Sequence, residues 1–250
     1  ANNSYLGRTV LTRPSVYYTN IAPEQTTSME IGAELRFFNN RLYLDAAYYA
    51  ISATNLIMHV PVPESTGYSL FNTNVGELTN TGYEFMLGGQ PLKTGGLTWD
   101  ISLNMAQNKN ELVELMEDLQ SYTFSTTNTG DVTVRATVGG EFGEIYGTTY
   151  KRTPEGQLIV NDKGQPLEDA EREKLGNYQP DWTGGINNSI NYKGLSLGFL
   201  VDFRIGGELY SGTDAGLDAM GVTGRSLKYR DQGGVVLDAV VNTGDEENPN

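Results

Sequence analysis

The sequence predicts an all-β chain, an antiparallel transmembrane β-barrel segment with short turns on one side and long extracellular loops on the other. Three observations carry that reading. Apolar and polar residues alternate strictly through several stretches, the period-2 signature of a strand with unlike faces. Those stretches run about 9 to 11 residues, the length that crosses a bilayer at a tilt of roughly 45°. Between them, short turns alternate with long connections at about 52–75, 108–183 and 206 onward, the asymmetry of outer-membrane barrels. A soluble antiparallel sandwich also alternates. Its strands are usually roughly five or six residues, and it leaves the connection at 108–183 unexplained.

The first hairpin is the clearest. Odd positions read Ile31, Ala33, Leu35 and Phe37, while even ones read Glu30, Gly32, Glu34 and Arg36. Asn39-Asn40 follows, a dipeptide that tolerates the positive φ values of a type I′ turn. The return strand sets Leu42, Leu44, Ala46 and Tyr48 against Arg41, Tyr43, Asp45 and Ala47. A tight loop there pairs Phe37 with Leu42, Leu35 with Leu44, Ala33 with Ala46 and Ile31 with Tyr48. On the other face Arg36 meets Tyr43 and Glu34 meets Asp45. A one-residue slip would scramble the apolar face.

Later hairpins repeat the plan. Tyr83, Phe85 and Leu87 alternate with Gly82, Glu84 and Met86; the segment 88–96 is expected to turn the chain, and Leu97, Trp99, Ile101, Leu103 and Met105 return. Ile186 to Tyr192 meets Leu195 to Ile205 through Lys193-Gly194, with Leu195, Leu197, Phe199, Val201, Phe203 and Ile205 on one face. The predicted strands are 29–38, 41–52, 80–88, 97–108, 184–192 and 195–205. Leu112, Leu115, Met116 and Leu119 are spaced like one helical face, with Asn110 as a cap. Pro154-Glu155-Gly156 and Asp162-Lys163-Gly164 bracket Leu158-Ile159-Val160, a small extracellular hairpin. Six strands cannot close, since the smallest barrels have about eight. The chain therefore reads as a piece of a larger barrel, and the acidic stretch 242–250 reads as a loop.

Composition excludes several classes. Lys+Arg 17 against Asp+Glu 31 gives a net charge of −14, and no basic cluster exists to bind nucleic acid. Hydrophobic residues at 38% and aromatics at 10% are too many for a disordered chain. With Cys 0 neither a disulfide framework nor a thiolate metal site is possible. The longest apolar runs, such as 194–201, fall far short of a membrane helix. The start Ala1-Asn2-Asn3-Ser4 does not read as a signal peptide.

Catalysis is not expected, nor is a metal or cofactor. His59 is the single histidine, so no His-metal cluster can be assembled and no nucleophile motif pairs with it. It reads as an ordinary polar strand or loop residue. Glu34, Asp45, Asp100 and Asp202 sit on strand faces that point into a barrel lumen, with Arg36, Arg41 and Arg204 as partners. Their expected work is to solvate that interior. Tyr43, Tyr48, Tyr49, Trp99 and Tyr192 fit an interfacial aromatic girdle.

Three stretches resemble the SusC/RagA-like family of TonB-dependent outer-membrane transporters. Residues 22–42, from Ala22-Pro23-Glu24 to Phe37-Phe38-Asn39-Asn40-Arg41-Leu42, are similar to that family's entry into a barrel strand and the hairpin after it. Residues 74–84 (Asn74-Val75-Gly76-Glu77 through Asn80, Gly82 and Glu84) resemble a second strand entry. Residues 175–185 (Leu175-Gly176-Asn177, then Pro180-Asp181-Trp182-Thr183-Gly184-Gly185) resemble a third, and 203–213 resembles the family's next strand and loop. The resemblance implies a segment from the C-terminal half of a barrel of about 22 strands, residues 1–250 all belonging to one barrel domain, with plug domain and final strands outside them. It favours a strand over 110–119.

The resemblance further implies energy-dependent import of an oligosaccharide or peptide across a Gram-negative outer membrane of the Bacteroidetes type. The partners implied are a SusD-like surface lipoprotein, TonB beneath the plug, and membrane lipid. The competing expectation is a non-transporting β-rich adhesin or carbohydrate-binding module. Loop residues with an aromatic face or a hydrogen-bonding group suit sugars and peptides; the candidates are Tyr68, Asn72, Tyr146, Trp182 and Tyr210. The acidic balance disfavours polyanionic ligands.

Overall fold

Alternation in the sequence becomes strand pairing in the fold. The computed structural model describes residues 2–5, 8–11, 15–17, 20–116, 119–127, 131–227, 230 and 233–242. The tail 243–250 and residues 117–118, both included in sequence expectations, lie outside them. In chain order come β1 (Asn2–Tyr5), β2 (Arg8–Leu11), β3 (Val16–Tyr17), β4 (Gln25–Phe37), β5 (Leu42–Thr54) and β6 (Ile57–Pro61). A 3-10 turn at Glu64–Thr66 leads to β7 (Leu70–Asn74), β8 (Glu77–Thr94) and β9 (Leu97–Glu114). Then come β10 (Ser121–Thr126), β11 (Val132–Thr137), β12 (Phe142–Tyr150), β13 (Leu158–Val160) and β14 (Glu168–Asn177). Strands β15 (Trp182–Tyr192) and β16 (Leu195–Ile205), helices α1 (Gly212–Ala219) and α2 (Gly224–Leu227), and β17 (Ala239–Val241) complete the order. The chain divides into two units, one of 1–122, 136–142 and 179–207, the other of 123–135, 143–178 and 208–250.

The first unit is built on a six-stranded sheet ordered β16-β15-β9-β8-β5-β4. The β4–β5 register pairs Phe37 with Leu42, Leu35 with Leu44, Ala33 with Ala46 and Ile31 with Tyr48, as alternation and turn chemistry dictate. Asn39 and Asn40 take φ of 55° and 66°, and the Arg41 N–H donates to the Phe38 carbonyl at 3.3 Å, closing a primed turn. Lys193 and Gly194, at φ 45° and 92°, close the β15–β16 hairpin in the same way, with Tyr192 opposite Leu195.

The middle hairpin departs from expectation. The chain does not turn across 88–96. It stays paired to Thr94 opposite Leu97, with an irregularity between Gly89 and Leu92, and turns at Gly95-Gly96. Pro91 sits inside that irregularity, where a missing N–H breaks no ladder bond. A second irregularity explains the helix-like spacing. Leu78 pairs with Leu112 but Glu77 with Glu114, so Val113 is an extra residue. A bulge shifts the face by one, and Leu112 and Leu115 end on one side although they are not an even number apart. Residues 110–114 are strand, not helix. Leu112 and Leu115 pack with Ala136 in a small buried cluster against Leu78, Tyr122 and Phe142.

Sheet pairing carries one apolar row after another across the strands, for instance Leu35, Leu44, Leu87, Leu103, Ile186 and Val201. That face is uncovered: Ile31 is 68% exposed, Leu35 45%, Leu197 59% and Val201 49%. No helix among the described residues is long and apolar enough to cross a membrane.

The second unit centres on the sheet β10-β11-β12-β14. The expected small hairpin at 154–164 takes another form. Leu158–Val160 is flanked by turns closed by Gly156 N–H to Thr153 O and Gly164 N–H to Asn161 O. It bridges Arg152 and Pro166 and pairs in parallel with β17. Helix α1 is capped by Ser211, whose side chain accepts from the Asp214 N–H at 3.2 Å, and none of its residues is buried.

Candidate functional site

The opposite face of the six-stranded sheet is polar. One row reads Glu34, Asp45, Met86, Asn104, Gly185 and Asp202; the next reads Gly32, Ala47, Glu84, Ala106, Thr183 and Arg204. A concavity of about 680 Å³ on this face is lined by Glu34, Asp45, Glu84, Asn104, Thr183 and Asp202. Arg36 pairs with Glu34 and donates to Asp45 at 3.1 Å. Asp100 lies toward the short turns with Tyr43, Ser102 and Asn187. Arg41 leaves this set: its guanidinium donates to the Gln90 carbonyl at 3.1 Å. Among the described residues no group of three or more His, Cys, Asp or Glu side chains is placed to hold a metal ion. The face offers carboxylates, amides and hydroxyls, suited to hydrogen-bonding a polar solute.

Two tyrosines expected in the girdle belong to this polar face instead. Tyr43 pairs with Gly88 and Tyr49 with Gly82. Each ring lies over the glycine, where a Cβ would collide with it. A glycine in a strand leaves a gap that a cross-strand aromatic fills. Tyr49 reaches across it to donate to Asn108 Oδ1 at 3.1 Å, and the Arg36 guanidinium stands 5.0 Å from the Tyr43 ring. On the apolar face, Tyr48 and Tyr83 pack at 5.1 Å between centroids. Trp99 donates to the buried Asn188 at 3.2 Å.

The candidate loop residues are divided between the two units. Tyr68 is half-buried after Gly67, its N–H donating to Thr66 Oγ1 at 3.4 Å. Asn72 is 0% exposed and lies on β7 opposite His59, in contact with its Nδ1, while its own Nδ2 is buried without a hydrogen-bond partner. His59 is a strand residue whose carbonyl accepts from Tyr122 OH at 3.2 Å. Trp182 opens β15 opposite Ile205. Tyr146 and Tyr210 belong to the second unit. Arg135 stacks on the Tyr146 ring at 3.2 Å. Tyr210 lines a cavity of about 190 Å³ with Val132, Ile145, Tyr178 and Glu208, which Tyr146 does not reach.

Sequence reasoning missed Arg135, Glu144 and Glu208. Glu144 is 4% exposed and accepts from Lys174 Nζ at 2.9 Å. It carried no signal, because its partner is brought to it only by the β12–β14 pairing. Glu208 was visible only as the residue after two glycines.

The residues that carry the family resemblance hold the backbone. Glu24 accepts from the Ile57 N–H at 2.7 Å. Asn74 accepts from the Ala22 N–H at 2.7 Å and donates to the Ala22 and Asn55 carbonyls at 2.8 and 2.7 Å. Gly76, at φ 96°, lies where a Cβ would meet the Glu114 carbonyl at 2.5 Å. Glu208 accepts from the Asn177 N–H at 2.7 Å and packs where Gly176 leaves room. Gly206, at φ 74°, accommodates the Asp181 carboxylate.

A sheet of long antiparallel strands with an uncovered apolar face and a polar reverse face is the wall of a transmembrane β-barrel. Residues 2–243 match the family described as TonB dependent receptor-like, beta-barrel, and the chain belongs to that family. It is 30% identical over 219 residues to TonB-dependent receptor P3 of Formosa agariphila, covering 78% of this chain and 22% of that protein. To TonB-dependent receptor SusC of Bacteroides thetaiotaomicron it is 25% identical over 214 residues, covering 79% and 21%. The chain thus spans about a fifth of the length of these relatives. Among solved structures, the RagAB peptide importer in its open-open state is similar with TM-score 0.62 at 21% identity, over 82% of this chain and 23% of that one. That similarity concerns the fold.

Proposed function

We propose that the chain is part of the barrel wall of an outer-membrane TonB-dependent importer of oligosaccharides or peptides. It works with a SusD-like surface lipoprotein and with TonB through a plug carried by the rest of the protein. The supporting observation is the two-faced sheet: carboxylates, amides and hydroxyls on one face, an open apolar face on the other. On this reading residues 1–250 are one stretch of a barrel domain of about 22 strands, and Glu34, Arg36, Asp45, Asp100, Asp202 and Arg204 line the lumen. A free-standing adhesin or carbohydrate-binding module would need a second layer over the apolar face, which speaks against it.

Ligand contact falls to Tyr68, Tyr146, Trp182 and Tyr210, each with an aromatic face for a sugar ring or peptide side chain. Asn72, being enclosed, acts through the strand it anchors. The test is growth of a strain lacking the full-length gene on a panel of glycans and peptides, complemented by wild type or Tyr68→Ala. Growth lost on one substrate class, restored by wild type and weakened with Tyr68→Ala, is expected. Unchanged growth of the deletion strain on every substrate would refute import.

A further inference from the structure

We propose that the apolar face carries a phospholipid site at its short-turn end: one acyl chain fills the groove beside Gly89 and the lipid phosphate meets Arg41. The groove is built into the register. Phe37, Leu42, Gly89 and Ile101 share one row of the apolar face, and Gly89 alone in it has no side chain. Position 89 takes no side chain, because a Cβ on Gly89 would collide with the Arg41 carbonyl. The ladder is irregular between Gly89 and Leu92, and Gln90 and Pro91 line the groove there. The groove measures about 510 Å³ and is lined by Leu42, Leu87, Ile101 and Leu103, with Phe38 as a wall. That volume lies within the roughly 300–1,000 Å³ of small-molecule clefts.

The lining says what occupies it. Leucine and isoleucine walls give water no partners, and an unfilled gap forfeits dispersion contacts on every side. The single ionisable lining residue is Arg41. One of its nitrogens is held by the Gln90 carbonyl at 3.1 Å, which fixes the fork at the mouth and leaves further donors for an anion. The turns around it share that sign. Residues 38–41, 89–96 and 193–194 contain Arg41, Lys93 and Lys193 and no Asp or Glu, in a chain with 31 acidic residues. A cation at the end of an apolar groove in a membrane wall fits an anionic headgroup above an acyl chain. The inference rests on the barrel reading, because the apolar face must meet lipid.

The full-length protein, extracted from outer membranes in mild detergent, is titrated with phosphatidylglycerol and read by native mass spectrometry. The wild type is expected to retain one phospholipid. Arg41→Gln should retain it about tenfold more weakly, and Ile101→Phe, whose ring fills the groove, should lose it. Leu195→Phe, on the same face beyond the groove, should keep it. Heat-modifiable migration in gels confirms that each variant has folded. Equal retention in all four proteins overturns the proposal, as does a photo-crosslinker at position 87 that captures protein instead of lipid. A protein absent from the outer-membrane fraction overturns the barrel reading and the site together. Normal membrane insertion with unaltered lipid retention in Ile101→Phe overturns the site alone.

Discussion

Placing arginine at Leu44 tests the two-faced sheet directly. Leu44 stands between Leu35 and Leu87 in a row that continues through Leu103. Along β9 this face is apolar from Leu97 to Met105 and turns polar at Gln107, and Leu103 lies six residues past Leu97 and four before Gln107. At about 3.3 Å per residue and a tilt of about 45°, those steps are ~14 and ~9 Å along the membrane normal. Together they span nearly the apolar band of about 25 Å, so Leu44 sits close to mid-membrane. Leu44→Arg should therefore cost about 2–4 kcal/mol, whereas Leu195→Arg, beside the Lys193-Gly194 turn, should cost about 0–1 kcal/mol. On the other face, Asp45→Leu removes an exposed contact to Arg36 (3.1 Å) and should cost under about 1 kcal/mol. The assay is urea unfolding of the full-length protein in lipid vesicles, followed by tryptophan fluorescence. Equal costs at Leu44 and Leu195, or a larger cost at Asp45 than at Leu44, would refute the assignment of faces.

Three further outcomes are expected. Gly82→Val drives a side chain into the Tyr49 ring and the Gln107 carbonyl; a loss of about 1–3 kcal/mol would show as a lower midpoint of heat-modifiable migration, and an unchanged midpoint counts against the packing. Tyr49→Phe removes the 3.1 Å bond to Asn108 but keeps the ring over Gly82, so the same assay should register about 0.5–1.5 kcal/mol. Glu208→Ala strips the acceptor from the Asn177 N–H; hydrogen exchange at Asn177 should speed up by about tenfold or more, while exchange in the six-stranded sheet stays the same.

The hairpins were legible because two local rules agree. Period-2 alternation chose the faces of β4 and β5, and Asn39-Asn40 chose the register, leaving tertiary context little to decide. The bulges were not legible. An extra residue at Val113 produces the same i, i+3 spacing as a helix, and Gly88-Gly89 with Pro91 reads as a turn although the strand continues through it. Most of the second unit was hidden for another reason. Strand β14 reads Glu168-Asp169-Ala170-Glu171-Arg172-Glu173-Lys174, with no apolar alternation. It becomes a strand by pairing with β12, and β13 pairs with β17 across a long sequence gap. Such pairings rest on distant partners that a local pattern does not name. The candidate site was legible as residue types but not as places. Asn72 looks like a loop amide and is a buried strand residue, and Tyr146 carries Arg135 on its ring.

The residues that clamp the strand entries and those proposed to meet a ligand are different residues, for a physical reason. Asn74 spends its side-chain amide on two carbonyls and one N–H of neighbouring segments. Glu24 and Glu208 each accept from a backbone N–H of another segment, and Gly76, Gly82 and Gly206 provide room for a carbonyl, a ring and a carboxylate. Groups so engaged have little hydrogen-bonding capacity left for a solute, and their replacement disturbs strand entry before it disturbs recognition. A barrel can thus keep its strand entries fixed while its loops diverge, because the glycines and clamps at the strand ends isolate the wall from what the loops carry. Substitutions at Asn74 or Glu208 should therefore lower folded yield for every substrate alike. Substitutions at Tyr68 or Tyr210 should leave folded yield intact and change uptake of one substrate relative to another.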